Sequence, residues 1–158
     1  MIFVTLGTQD KSFKRLLNLI QEQIDKGNIK DKVIVQAGYT KFRSDNMEIY
    51  DYIDNHKFTK LINSCDLLIT HGGVGSILTG LKANKKIIAV PRLEKYKEHT
   101  NDHQLQIVNN FSQKGYILSV DGNDLAKALK QSKTFKPKKW KFNNTMFLSK
   151  LKNYIDNN

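Results

Sequence analysis

A doubly wound α/β domain, with one parallel sheet covered by helices on both faces, is the fold class this sequence predicts. Three observations carry the prediction. Short β-branched runs without polar alternation are what strands buried on both faces require. These runs alternate with apolar stripes of helical period, the order expected of strand–helix–strand units. Most of them also stop at Gly or Pro, which punctuate such units.

Ile2 to Leu6 reads as the first strand, running into a turn at Gly7-Thr8. Phe13, Leu16, Leu17, Ile20 and Ile24 then fall on one helical stripe that begins near Asp10 or Ser12 and ends at Gly27. Val33 to Val35 is the second strand, Asp66 to Thr70 the third and Lys86 to Val90 the fourth. A helix from about Phe58 to Ser64 precedes the third strand, and Val74, Ile77, Leu78 and Leu81 mark the helix that follows it. A further helix from about Thr100 to Lys114 leads through Gly115 to a last short strand, Tyr116 to Leu118. Asp121 is placed to cap one more helix. Residues 1–132 then form the domain. Residues 133–158 form a basic, Pro-interrupted connector followed by a C-terminal amphipathic helix marked by Phe147, Leu151, Tyr154 and Ile155.

With 158 residues, 39% of them hydrophobic, the chain can bury a real core, which excludes a disordered tail protein. No apolar stretch approaches the ~18 residues of a membrane span, and MIFVTLGTQD has no basic n-region, so a cytosolic protein is expected. Cys65 has no second thiol to form a disulfide or a paired zinc motif. The net charge of +11 favours an anionic partner, but it is unevenly spread. Residues 127–158 hold nine lysines against one Asp and so carry +8 of it. That distribution suits a basic tail near an acidic surface, or a solvated end, better than a nucleic-acid-binding face across the domain.

In an open parallel sheet, ligands bind beyond the carboxyl ends of the strands. Gly7-Thr8, the loop His71-Gly72-Gly73-Val74-Gly75-Ser76, and Pro91-Arg92 all follow strands and should open on one crevice. Glycines immediately before a helix let backbone N–H groups approach an anion where the helix dipole favours it, and Ser76 can add a hydroxyl. His71 beside them is read as a phosphate donor, with general base and plain core histidine as the alternatives. A Walker loop, G-x-x-x-x-G-K-S/T, fails because Leu81 and Lys82 follow Gly80. A dinucleotide fingerprint fails because Leu78 stands where the third glycine is needed, and the same residue removes a G-x-S-x-G hydrolase elbow. Glu98, His99, Thr100, Asn101, Asp102, His103 and Gln104 gather hydrogen-bonding groups at the next helix start, as recognition of several hydroxyls would require. His99 and His103 are spaced to share zinc, but the acid precedes the first His rather than following it, so no metal site is expected.

VTLGTQ, ITHGGVGS and VPRLEKYKEHTNDHQLQI together resemble the donor-binding half of GT-B glycosyltransferases, the glycosyltransferase family 28 C-terminal domain. They look most like the separately encoded donor subunits of bacterial capsular and exopolysaccharide transferases, whose eukaryotic relatives serve the dolichol-linked N-acetylglucosamine transferase. The resemblance implies a Rossmann-like, C-terminal GT-B half that takes a UDP-sugar. The diphosphate would lie at Gly7, Thr8, His71, Gly72, Gly73, Val74, Gly75 and Ser76. The sugar would lie near Arg92, Glu98, His99, Asn101, Asp102, His103 and Gln104, and the uracil near Tyr52 and Ile53. No metal or other cofactor is implied, since helix dipole and backbone donors serve the departing diphosphate. One half of a GT-B enzyme also implies a membrane-anchored partner subunit that supplies the acceptor site and the general base. The chain would then transfer a hexose to a lipid-linked saccharide only with that partner, recruited peripherally to the inner face of the cell membrane. Two other readings remain: a non-catalytic enhancer of a complete partner enzyme, and a basic nucleic-acid or anionic-surface module using Trp140 and Phe142 among the lysines.

Overall fold

The structure, a computed structural model, describes residues 1–141. Six strands form one parallel sheet: β1 (Ile2–Thr5), β2 (Val33–Gln36), β3 (Met47–Tyr50), β4 (Leu67–His71), β5 (Lys86–Val90) and β6 (Leu118–Ser119). Among the described residues five α-helices connect or follow them: α1 (Lys14–Asp25), α2 (Asn55–Ser64), α3 (Val74–Lys82), α4 (His103–Gln113) and α5 (Leu125–Ser132), with a 3₁₀ turn at Glu94–Tyr96. The strand order is β3-β2-β1-β4-β5-β6. The chain thus winds outward in one direction from β1 and in the other from β4, and the reversal leaves a crevice beyond their carboxyl ends.

Alternate residues of the central strands feed two cores, as the two-residue period of a strand demands. Ile2 and Val4 pack with Leu16, Leu17 and Ile20 of α1 and with Leu125 and Leu129 of α5. Phe3 and Leu68 pack on the opposite face with Leu61 of α2, Ile77 and Leu81 of α3, and Val108 and Phe111 of α4. Both faces are therefore covered, which is why the strands read as continuous apolar runs. Each run turns polar in one row near its carboxyl end: the register aligns Tyr50, Gln36, Thr5 and Thr70 across four neighbouring strands. Thr5 and Gln36 of that row line the crevice.

Several details depart from the sequence expectation, among them the last strand, which is Leu118–Ser119 rather than Tyr116 to Leu118. Strand β3 has no counterpart in it, because an edge strand of four residues whose burial fades along Met47-Glu48-Ile49-Tyr50 leaves little apolar signal. Helix α2 starts three residues earlier than expected, at the point where the Asp54 carboxylate accepts a hydrogen bond from Lys57 N–H at 2.9 Å. The cap of α5 is Asp124, not Asp121: its carboxylate accepts from Lys127 N–H at 3.0 Å, while the Asp121 carbonyl closes the preceding turn. Helix α4 starts at His103 rather than Thr100, since the side chains of Asn101 and Asp102 accept from nearby backbone N–H groups and hold the loop out of helical form.

Residues 133–141, expected as a connector, run along the domain. Lys138 N–H donates to the Gly115 carbonyl, and Trp140 is 9% exposed with its ring 5.1 Å from that of Tyr116 and 5.9 Å from that of Phe111. A buried indole offers no stacking platform, so Trp140 does not serve the nucleic-acid reading. The expected C-terminal helix with Phe147, Leu151, Tyr154 and Ile155 lies outside the described residues, as does Phe142.

Candidate functional site

The β4–α3 junction is built around His71. This residue ends β4, is 7% exposed, and presents its ring between two glycines. A Cβ on Gly73 would lie 2.2 Å from His71 Cε1, and one on Gly7 would lie 2.5 Å from His71 Nε2. Gly7 also has a φ of +79°, the left-handed region that favours glycine. The third close approach is at Gly72, where a Cβ would meet Gln104 Cβ at 2.8 Å. Three of the glycines therefore make room for an imidazole and an amide. Gly75, with open space around its Cβ position, stands in the first turn of α3 beside Ser76.

Helix α3 begins at Val74 with no side-chain cap, and its first hydrogen bond back to the junction runs from Ile77 N–H to the Gly73 carbonyl. The N–H groups of Val74, Gly75 and Ser76 are thus the orphan donors of the helix start, at the positive end of its dipole. Gly75 and Ser76 line a cavity of about 360 Å³ together with Thr5, Gly7, Thr8, Gln9, Gln36, Ile53, Asn55, Phe58, His71 and Gly73. A second cavity of about 430 Å³ adjoins it, lined by Gln9, Gly73, Val74, His99, Thr100, Asn101, His103, Gln104 and Ile107. Gln9 and Gly73 belong to both, and the Gln9 side-chain amide nitrogen lies 3.1 Å from His99 Nε2 at the divide.

Electrostatics favour an anion here. Burial, followed by the nearby positive charge of Arg92, pushes His71 down from 6.5 to about 4, so it is neutral at physiological pH. Burial and Arg92 lower His99 as well. Among the described residues, neither cavity is lined by an Asp or Glu. A roomier cavity of about 620 Å³ lies beside α1, but its charged groups face one another: Arg15 donates to both Glu98 carboxylate oxygens, to the Pro91 carbonyl and to Asn123. None of its lining residues belongs to the β4–α3 junction.

The structure brings most of the expected site residues together. Gly7, Thr8, His71, Gly73, Gly75, Ser76 and Ile53 line the first cavity; Val74, His99, Asn101, His103 and Gln104 line the second. Five lie elsewhere. Gly72 packs under Gln104. Tyr52 is 56% exposed and meets Tyr39 edge-on outside the cavity. Asp102 turns its carboxylate to Glu94 N–H at 2.8 Å. Arg92 is 1% exposed, and its guanidinium donates to the carbonyls of Leu6 at 2.6 Å, Lys11 at 2.7 Å and Glu98 at 3.1 Å. Glu98 accepts from Arg15 and from Leu93 N–H. Arg92 and Glu98 therefore brace the β1–α1 and β5–α4 loops rather than face open space. Residues not expected at the site also line the crevice: Thr5, Gln9, Gln36, Asn55 and Phe58. A polar residue closing an apolar strand was the available signal for Thr5 and Gln36, whereas Asn55 follows the undetected β3.

Among the described residues no group of three or more His, Cys, Asp or Glu side chains is placed to hold a metal ion. Nor, among them, is any helix long and apolar enough to cross a membrane.

Similarity to known proteins agrees with this architecture. The Kluyveromyces lactis UDP-N-acetylglucosamine transferase subunit ALG13 is 37% identical over 91 residues, 56% of this chain and 44% of that protein. Its Candida albicans counterpart is 29% identical over 103 residues, 65% of this chain and 33% of that protein. The chain thus spans less than half the length of these two relatives. Among solved structures, an ALG13 solution structure superposes with a TM-score of 0.61 at 22% identity, over 95% of this chain and 94% of that one. The glycosyltransferase SnogD from Streptomyces nogalater superposes with a TM-score of 0.59 at 19% identity, over 98% of this chain but 39% of its own. These likenesses fix the fold as a Rossmann-like, GT-B-type parallel sheet. The profile of the glycosyltransferase family 28 C-terminal domain matches residues 1–157, and the chain belongs to that family.

Proposed function

We propose that this chain is the UDP-sugar-binding half of a two-chain glycosyltransferase. The observation that supports it best is the meeting of the first turn of α3 at Gly75 and Ser76, the Ser76 hydroxyl and the His71 ring on one cavity at the sheet's reversal point, with Val74 on the adjoining cavity. A diphosphate would accept from that helix start. The uracil would extend toward Ile53, Asn55 and Phe58, and the sugar would enter the second cavity beside His99, Asn101 and His103. Departure of UDP from the anomeric carbon would then be stabilised by preorganised donors at its diphosphate.

The lack of a carboxylate among the described lining residues, with His71 pushed down to about 4 and so only weakly basic, supports a general base and acceptor site on a partner chain. A membrane-anchored subunit carrying a lipid-linked saccharide fits that role, as does recruitment of this chain to the inner face of the membrane. The relatives' names make UDP-N-acetylglucosamine the first donor to test. Transfer of another hexose in capsular or exopolysaccharide assembly is the finer alternative. The same missing base also favours a second reading, in which the chain stabilises a partner that performs catalysis alone.

Titration calorimetry with UDP distinguishes these. Binding is expected for the native chain and is expected to vanish in Gly73→Asp, which sets a carboxylate against the His71 ring. No heat at millimolar UDP would defeat the donor-binding reading. Full activity of the partner complex with a chain unable to bind UDP would establish the stabiliser reading.

A further inference from the structure

Gln104, expected to read a sugar hydroxyl, is 4% exposed and belongs to a buried hydrogen-bond chain. Its side-chain oxygen accepts from two backbone groups, Gly72 N–H and Arg92 N–H, each at 3.0 Å. This fixes the amide orientation, because turning it over would set an NH₂ group against two buried N–H donors. The amide nitrogen then faces His71 Nδ1 at 3.1 Å and must donate to it. In a neutral imidazole whose Nδ1 accepts, the proton sits on Nε2. Nε2 lies 3.3 Å from Ser76 Oγ, so the ring donates to that hydroxyl. The Ser76 proton is then left to point elsewhere, and Ser76 lines the first cavity.

We propose that Gln104 is a positioning residue: by holding the Nε2–H tautomer of His71, it directs a one-way chain of donors that ends with the Ser76 O–H facing the phosphate-binding cavity. Three consecutive links depend on two backbone N–H groups, both fixed by the β4–α3 and β5–α4 loops. A helix start that already points its donors at the cavity accepts an anion without rearrangement. The inference deepens the proposed diphosphate site, but the direction of the chain is a property of the unliganded protein and is tested without any nucleotide.

Nitrogen-15 correlation spectroscopy of the histidine rings in the full chain reads it directly. A protonated, pyrrole-type Nε2 and a bare, pyridine-type Nδ1 for His71 are expected; the reverse assignment, or an averaged signal for the two nitrogens, overturns the proposal. In Gln104→Glu the carboxylate keeps its bonds to Gly72 and Arg92 but cannot donate, so Nδ1 should become pyrrole-type. An unchanged Nδ1 in that variant also overturns it, and should the variant fail to fold, the native spectrum alone decides. Ser76→Ala should weaken UDP binding about tenfold, as loss of a hydrogen bond to a charged group does. If the native chain shows the Nε2–H tautomer yet binds no UDP, the donor-binding reading fails while the hydrogen-bond chain stands.

Discussion

The ring of His71 couples the site to the stability of the whole domain. Its folded value of about 4 lies below the ordinary 6.5, so between those limits the unfolded chain binds a proton that the folded one refuses. Stability is therefore complete above pH 6.5 and falls as pH drops toward 4, by roughly 2–4 kcal/mol for a shift of this size. Urea unfolding from pH 7.5 to pH 4 should show that loss, and His71→Asn should flatten it. His99 is lowered too and adds to the same slope, so the difference between the native chain and the variant isolates His71. The glycines around the ring separate just as sharply. Gly7→Ala combines a positive φ with a 2.5 Å approach to Nε2 and should cost about 2 kcal/mol or more. Gly75→Ala, in open space within α3, should be neutral or stabilise by up to about 1 kcal/mol in the same assay.

At the scale of elements, the crevice exists because two loops are tied to each other across the sheet edge. Arg92 reaches from the end of β5 to the Leu6 and Lys11 carbonyls of the β1–α1 loop, and its guanidinium lies 5.0 Å over the ring of Phe13. Glu98 closes the same tie from the other side through Arg15 at 3.0 Å, with both side chains largely buried. Removing the guanidinium leaves buried carbonyls without donors. Arg92→Met should accordingly lower stability by about 3 kcal/mol in thermal or urea unfolding; unaltered stability would show that the tie carries no weight. The sequence announced Arg92 as a polar residue at a strand end, which is where it lies. That its charge points inward depended on carbonyls some 80 residues away in the chain, and no local pattern encodes that.

For the molecule as a whole, the strands of the sheet interior were legible because both faces are buried, and their apolar runs have no other explanation. The edge strand β3 was not, since only Met47 of its four residues is fully buried. The glycine-rich junction was legible as a loop before a helix, but its glycines had a second purpose that only the packed ring of His71 reveals. The basic segment after α5 carried a further surprise: Trp140 closes the second core over α4 instead of facing solvent. Trp140→Ala should destabilise the domain by about 3 kcal/mol, measured as a lowered urea midpoint, whereas a freely exposed indole would leave that midpoint unchanged.

The linear order of residues determined the alternation of strand and helix, hence a doubly wound sheet, and the loops that end at its carboxyl edge, because burial on both faces and capping are local demands on composition. Tertiary structure alone decided which polar groups of those loops face the crevice. Gln104, Arg92 and Glu98 look on paper like ligand-binding residues, and Gln9 and Asn55 do not. Their roles follow from which carbonyls and N–H groups the fold leaves without partners, a quantity that exists only once distant segments have been brought together.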